Sequence, residues 1–462
     1  MKILYPVLIV IAFLAIIPVV NAQNFYLHPN GVTCMCPDAA IGETGEVNGV
    51  IYTKRSREQI TTQNASTTCT SGITDMSEMF YQAYSFNENI SSWDTSSVTD
   101  MSNLFHLAIS FNWDIGSWNT SNVTDMSLMF RDTYSFNNPL NSWDVSNVIN
   151  MSQMFYNAEL FNNDISNWNV SNVTNMKWMF RDASTFNQPL NNWDVLNVIN
   201  MEYMFQNADE FNQPLGNWDV SNLINMKGMF NHADLFNQPL NSWDVSNVIT
   251  MEAIFTAAYS FNQSLDNWDV SNVSNMRFMF FNTTLFNQPL NNWDVSNVTN
   301  MFAMFSAALS FNQPLNNWDV SNVIDMISMF RDATLFNQDI SGWCVEQIPE
   351  EPTDFALNSP LQESFKPQWA EECILFTAPH SNPQLAIKIY PNPARDVFTL
   401  NNESNHSIEM ITILNMQGQV VKQVDGIQSK TQHINIQDLA SGNYFVKIVT
   451  NETNLVKQFI KN

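Results

Sequence analysis

The sequence predicts an α/β solenoid of eleven strand-plus-short-helix coils followed by a small all-β sandwich. Three observations carry this. Tryptophan recurs every 25 residues from Trp93 to Trp343 without a break, each unit repeats one apolar pattern, and the character of the chain changes near residue 385. A strict period of 20–50 residues marks an architecture in which each unit stacks only on its neighbours.

Within a unit such as Asn300–Val323, Met301, Met304, Phe305 and Ala308 fall at i, i+3, i+4 and i+7. That is the stripe of a short amphipathic helix. The residue before the first Met is Asp, Asn or Thr in all eleven units, as at Asp75, Asp100, Asp125 and Asn150. Such side chains accept the free N–H groups of a helix start. Six units carry a Pro at the place of Pro314, which cannot continue a helix. Leu315, Trp318, Val320 and Val323 then suit a short strand with one buried face. One such coil cannot bury its apolar side alone. Stacked coils can, so the Trp, Phe and Met columns are expected to be core.

The ends differ. Lys2, an apolar run from Ile3 to Val20 and small residues up to Ala22 read as a signal peptide over 1–22, cut after Ala22. No later segment is apolar enough to span a membrane, so no membrane span is expected in the mature protein. Residues 23–72 are expected to form the N-terminal cap, 73–343 the repeats, 344–384 a C-terminal cap and linker, and 385–462 the sandwich. Cys34, Cys36, Cys69, Cys344 and Cys373 flank the repeats, a distribution that suits disulfides stapling the ends of an exported protein. Cys344 with Cys373 is the natural C-terminal pair. Cys69 takes Cys34 or Cys36, and Cys36 is the candidate carried forward.

The formal charge is −26, and residues 73–343 hold 27 Asp and Glu against 6 Lys and Arg. Such a surface repels phosphate backbones, so no nucleic-acid partner is expected. Asp follows Trp in eight units, and Asp144, Asp194, Asp219, Asp244, Asp269, Asp294 and Asp319 form an exposed strand column, the candidate ligand-binding residues. Stacked carboxylates either bond local backbone on a solvated face or hold calcium, and the glycine-rich nonapeptide of calcium-binding repeats is missing. No repeat column holds two of the six histidines, and there is no Gly-rich phosphate loop, HExxH or GxSxG. No catalytic residue, metal or cofactor is assigned, and no enzyme activity is expected.

The unit M-x-x-M-F-x-x-A-x-x-F-N-Q-P-L-N-x-W-D-V-S-N-V-T-x, seen in Met176–Val198 and Met276–Val298, resembles that of BspA-like leucine-rich-repeat bacterial surface proteins. The resemblance implies a leucine-rich-repeat-like coil and adhesion to an extracellular protein or polysaccharide. Val148 and its equivalents stand where that family keeps an Asn ladder, and Asn137, Asn162 and Asn187 offer a ladder elsewhere. Tyr390-Pro-Asn-Pro-Ala394, Leu439–Lys447 and Lys457–Lys461 resemble the C-terminal sorting domain of the type IX secretion system of Bacteroidetes. That likeness implies handling by the type IX translocon and a cell-surface or extracellular location. The alternatives are a surface protein that assembles with itself and an extracellular carbohydrate-active enzyme.

Overall fold

The structure, a computed structural model, describes residues 24–369, 387–402, 407–415, 420–425, 429–450 and 454–462. The signal peptide over 1–22, Cys373 and the linker beyond 369 lie outside them.

The repeats stack coil on coil, but not as strand plus helix. Among the described residues there is no α-helix, and the three short 3-10 turns, Arg57–Gln59, Ala65–Thr67 and Glu363–Phe365, all lie outside residues 73–343. The expected α/β class is therefore overturned. Each coil is a string of tight turns whose strand-like pairing with the next is limited to one isolated parallel bridge: Asp75 with Asp100, Asp100 with Asp125, and so on to Asn300 with Asp325.

The coil beginning at Asp125 shows why the helix does not form. Met129, Arg131 and Thr133 donate their N–H groups three residues back, to Met126, Leu128 and Phe130. The residues between them, Leu128, Phe130 and Asp132, donate instead to Ser152, Met154 and Tyr156 of the next coil, at 2.8–2.9 Å. Alternate amides thus close a turn or reach across, which requires left-handed backbone at Leu128 (φ 57°) and Asp132 (φ 55°). A left-handed non-glycine residue costs about 1–2 kcal/mol. Each of these residues itself donates its N–H to the next coil, and a fully buried side chain, Met129 or Thr133, follows it, which offsets that cost. Two successive turns place apolar side chains three and four apart, as a helix does. The apolar periodicity therefore belongs to linked turns and not to a helix. The Asp, Asn or Thr expected to cap helices does accept an N–H, but from two residues on, as Ser127 N to Asp125 Oδ1 at 2.7 Å. It caps a turn.

The expected core columns are buried. Met126, Met129, Phe130, Phe136, Leu140 and Val148 are 0% exposed, and Trp143 is 4% exposed. In seven of the ten successive Trp pairs the rings stack at 6.1–6.5 Å with interplanar angles of 2–4°. Phe130 stacks at 5.7 Å on Phe105 and at 5.6 Å on Phe155. Each indole also satisfies its N–H: Trp143 Nε1 donates to the Ile115 carbonyl and Trp168 Nε1 to that of Leu140, at 3.1 and 3.0 Å. Tryptophan therefore both fills the core and ties its coil to the one before.

A second tie runs along the surface. Asn137 N–H donates to Asn112 Oδ1, Asn162 N–H to Asn137 Oδ1 and Asn187 N–H to Asn162 Oδ1, at 2.9–3.0 Å, and the ladder ends with Gln362 on Asn337. Truncating one rung orphans the amide above it. Asn237→Ala, which removes the acceptor of Asn262 N–H and Gln263 Nε2, should cost about 1–3 kcal/mol in urea unfolding. Asn237→Asp keeps the acceptor and should lose less; equal losses would count against the ladder as the cause.

The N-terminal cap holds β1 (Tyr26–Leu27) paired with β2 (Cys34–Met35), and a sheet of β3 (Thr44–Val47), β4 (Val50–Lys54) and β5 (Thr68–Cys69). Cys36 is bonded to Cys69. Cys34 is a buried free thiol, its pKa pushed up to about 12 by burial and then by the Asp94 charge. Trp93 Nε1 donates to the Ala65 carbonyl, so the cap takes the place of a preceding coil. At the far end Cys344 is disulfide-bonded. A further coil covers Trp343: Phe330 N–H donates to Phe355 and Asp332 N–H to Leu357, 25 residues on instead of the usual 24.

The C-terminal unit comprises β6 (Ile387–Tyr390), β7 (Val397–Asn402), β8 (Ile408–Leu414), β9 (Val420–Asp425), β10 (Thr431–Asn435), β11 (Gly442–Thr450) and β12 (Asn454–Lys461). The antiparallel sheets β10-β7-β6 and β12-β11-β8-β9 enclose a core of its own, including Phe398, Leu400, Ile411, Val446, Ile448 and Phe459. Among the described residues no helix is long and apolar enough to cross a membrane.

Candidate functional site

Coils in register present equivalent side chains side by side, about 4.8 Å apart if set at parallel-strand spacing. Three parts of this surface carry chemistry: the Asp column, a polar groove and a cation–aromatic face.

The Asp column does not lie on a strand. Asp144, Asp194, Asp219, Asp244, Asp269, Asp294 and Asp319 sit in tight turns, each exposed, each Oδ1 accepting the N–H two residues on at 3.0–3.2 Å. The donors are Ser146, Leu196, Ser221, Ser246, Ser271, Ser296 and Ser321. For Asp144 the Ser146 hydroxyl and then its N–H hold the carboxyl below the usual range. One oxygen of each carboxylate thus serves the turn. Asp219 and Asp244 line one shallow depression with Asn217, Trp218, Ser221 and Ser242. Among the described residues no cluster of three or more His, Cys, Asp or Glu has the geometry to hold a metal ion.

The groove was not anticipated. It spans four coils, encloses about 510 Å³ and is lined by Asn157, Glu159, Asp182, Ser184, Asn207, Asp209, His232 and Asp234. Asn157, Asp182, Asn207 and His232 are the left-handed residues of their coils (φ 53–59°), which turns their side chains into one row. Asn157 Nδ2 donates to Asp132 Oδ1 at 2.7 Å, continuing the row downward. Burial and the neighbouring Asp234 charge push the Asp209 carboxyl up, and burial pushes Asp234 up. Asp234 Oδ1 is buried without a partner.

The sign of the pH effect follows. A carboxyl raised in the folded state destabilises the fold while ionised, and that penalty disappears as pH falls through the raised value. Asp209→Asn and Asp234→Asn should each raise the melting midpoint at neutral pH. The gain should vanish near pH 3, below the ordinary range of about 3.9. Equal gains at both pH values would show that charge is not the cause.

On the cation–aromatic face, Arg131 lies 4.5 Å and Arg181 5.3 Å from the Tyr156 ring centroid, and Lys177 4.7 Å from that of Trp178. Lys177 pairs with Glu202 at 2.9 Å and Lys227 with Glu252 at 3.1 Å. The histidine of the first coils, His106, bonds Asn103 and lies 3.6 Å from Asp132, in a structural setting.

Comparison with known families finds two matches. Five overlapping stretches, 51–167, 136–237, 188–283, 214–306 and 261–368, match one repeat family. Residues 388–462 match the secretion system C-terminal sorting domain, which indicates secretion across the outer membrane to the cell surface or the extracellular space. No curated protein matches the chain. With its repeats matched from 51 to 368, the chain belongs to the family described as Mycoplasma protein of unknown function, DUF285.

Proposed function

We propose that this chain is a non-catalytic binding or adhesion protein, exported through its C-terminal sorting domain, whose coil surface engages an extracellular protein or polysaccharide. The observation that carries this reading is the groove from Asn157 to Asp234. Four coils contribute equivalent polar side chains to it in register, and Asp209 and Asp234 line it with carboxyls that burial pushes up, Asp234 Oδ1 having no partner. Desolvated polar groups left without partners are what a ligand's hydrogen bonds would satisfy. The likeness of the repeat to BspA-like surface proteins supports the same reading. The test is binding of the full chain to an array of matrix proteins and glycans. A specific signal lost in an Asp209→Ala, Asp234→Ala double variant whose melting midpoint is not lowered is the expected result. Silence across the array, or a signal indifferent to those changes, overturns it.

Self-assembly into a surface layer is the second reading, favoured by Leu160, Leu235, Leu285 and Leu335, equivalent residues each 52–56% exposed. Apolar side chains repeated along one edge would drive lateral contact. Light scattering that rises with concentration in the wild type and not in a Leu235→Ser, Leu285→Ser variant would favour this alternative.

A further inference from the structure

All six Lys and Arg of residues 73–343 fall in two columns of one face: Lys177, Lys227 and Arg277 follow the first Met of their coils, and Arg131, Arg181 and Arg331 stand four residues further on. Five of the six have a carboxylate partner. Lys177 and Lys227 use the acid one coil up, Glu202 and Glu252, while Arg131, Arg181 and Arg331 use Asp132, Asp182 and Asp332 at 3.2–3.3 Å. For Arg277 the equivalent position one coil up holds Phe302, and among the described residues it has no ion-pair partner. Glu252, the acid one coil below, is occupied: Lys227 Nζ lies on Oε1, and Asn275 Nδ2 donates to Oε2 at 3.1 Å.

The Arg277 guanidinium carbon lies 4.7 Å from the ring centroids of both Phe278 and Phe302. Phe278 stands edge-on to Phe302 at 5.1 Å and to Phe281 at 5.4 Å. The Arg277 Nε is buried without a partner. Stacking alone does not explain the missing acid, because Arg131 and Arg181 also lie over Tyr156 and keep theirs. In a chain of charge −26, a guanidinium clamped between phenyl rings and left without a carboxylate is a place for one from outside.

The geometry points to Arg277, Phe278, Phe281 and Phe302 as a subsite for a uronate unit of an acidic extracellular polysaccharide, deepening the binding function proposed above and resting on it. The guanidinium takes the sugar carboxylate, and the phenyl edges pack against the C–H face of the ring. Half-buried aromatic residues lie on the same face in three successive coils below, at Tyr156, Trp178 and Tyr203, separated from Phe278 by the two coils of Gly228 and Ala253, a spacing that a polymer lying along the stack can span. The overall negative charge does not forbid this, since fields are screened beyond about 8 Å at physiological salt.

The test is calorimetric titration of the full chain with polygalacturonate, with neutral dextran and polyglutamate as comparison polymers. Wild type should bind polygalacturonate preferentially, and binding should weaken as salt rises. Arg277→Gln should weaken it at least about tenfold, the loss of one charge-assisted contact. Phe302→Glu, which restores the acid found at Glu202 and Glu252, should do the same by neutralising Arg277 from within. Arg331→Gln should leave affinity unchanged, and all three should keep the wild-type melting midpoint. Unchanged affinity in Arg277→Gln, equal binding of dextran or tighter binding of polyglutamate overturns the subsite. No polygalacturonate binding beside an array signal elsewhere removes the subsite alone; silence in both removes the binding reading as well.

Discussion

Trp218→Ala is expected to be the most destabilising single substitution in the repeats, costing about 3–5 kcal/mol in urea unfolding. Trp218 is 3% exposed, stacks on Trp243 at 6.2 Å and donates its indole N–H to the Leu190 carbonyl at 2.8 Å. Truncation opens a cavity between coils, breaks the ring column and leaves a buried carbonyl without its donor. Trp218→Phe keeps a ring in the column and loses the donor, so it should cost about 1–3 kcal/mol. Because each coil touches only its neighbours, damage in the middle should split cooperativity. The variant is expected to unfold in two transitions where wild type shows one. A single transition with a loss below 1 kcal/mol would mean that the indole column does not hold the coils together.

The second large effect concerns export. Residues 388–462 match the secretion system C-terminal sorting domain and have a core separate from that of the repeats. Removing them should leave the coil stack folded and the protein in the periplasm, where fractionation of the producing cell would find essentially all of it. Recovery of the truncated chain from the medium or the cell surface would contradict the assignment. Circular dichroism and urea unfolding of the retained protein separate a sorting failure from a folding failure.

What the sequence revealed and what it hid divide along a physical line. The Trp, Phe and Met columns were legible because burial is written in residue type, and repetition removes ambiguity. The Asn137 ladder was legible for the same reason, since a polar residue kept at one place in all eleven coils has to bond something. Backbone conformation was not legible. Met126, Met129, Phe130 and Thr133 have helical spacing whether the chain winds as a helix or as two linked turns, because both return a side chain to the same side every three or four residues. A clue lay in Asp132, Asn157, Asp182 and Asn207, residue types that tolerate left-handed backbone at one recurring position. Leu128 and Trp178, equally left-handed, gave no such sign.

The candidate surfaces follow that division. The Asp column was readable as a column, but placed on a strand it does not occupy. The Asp209–Asp234 groove depends on which positions the turns draw into a concavity, and no pattern of types announces that. Arg277 was visible only by comparing columns, where Glu202 and Glu252 give way to Phe302.

The one-residue lengthening of the final coil has a consequence for how the molecule ends. Each coil donates to the next through amides such as Leu128 and to the one before through Ile149, Asn137 and Trp143, so its two faces are unlike and complementary, like the two sides of a zip. A bare terminus would accept the opposite terminus of another molecule and go on doing so, a head-to-tail association that never closes. The extra residue before Phe355 shifts the last inter-coil backbone bonds by one residue, and the cystine-braced lobe below Trp93 plugs the other side. Length can then change only by whole 25-residue steps inserted between these two stoppers.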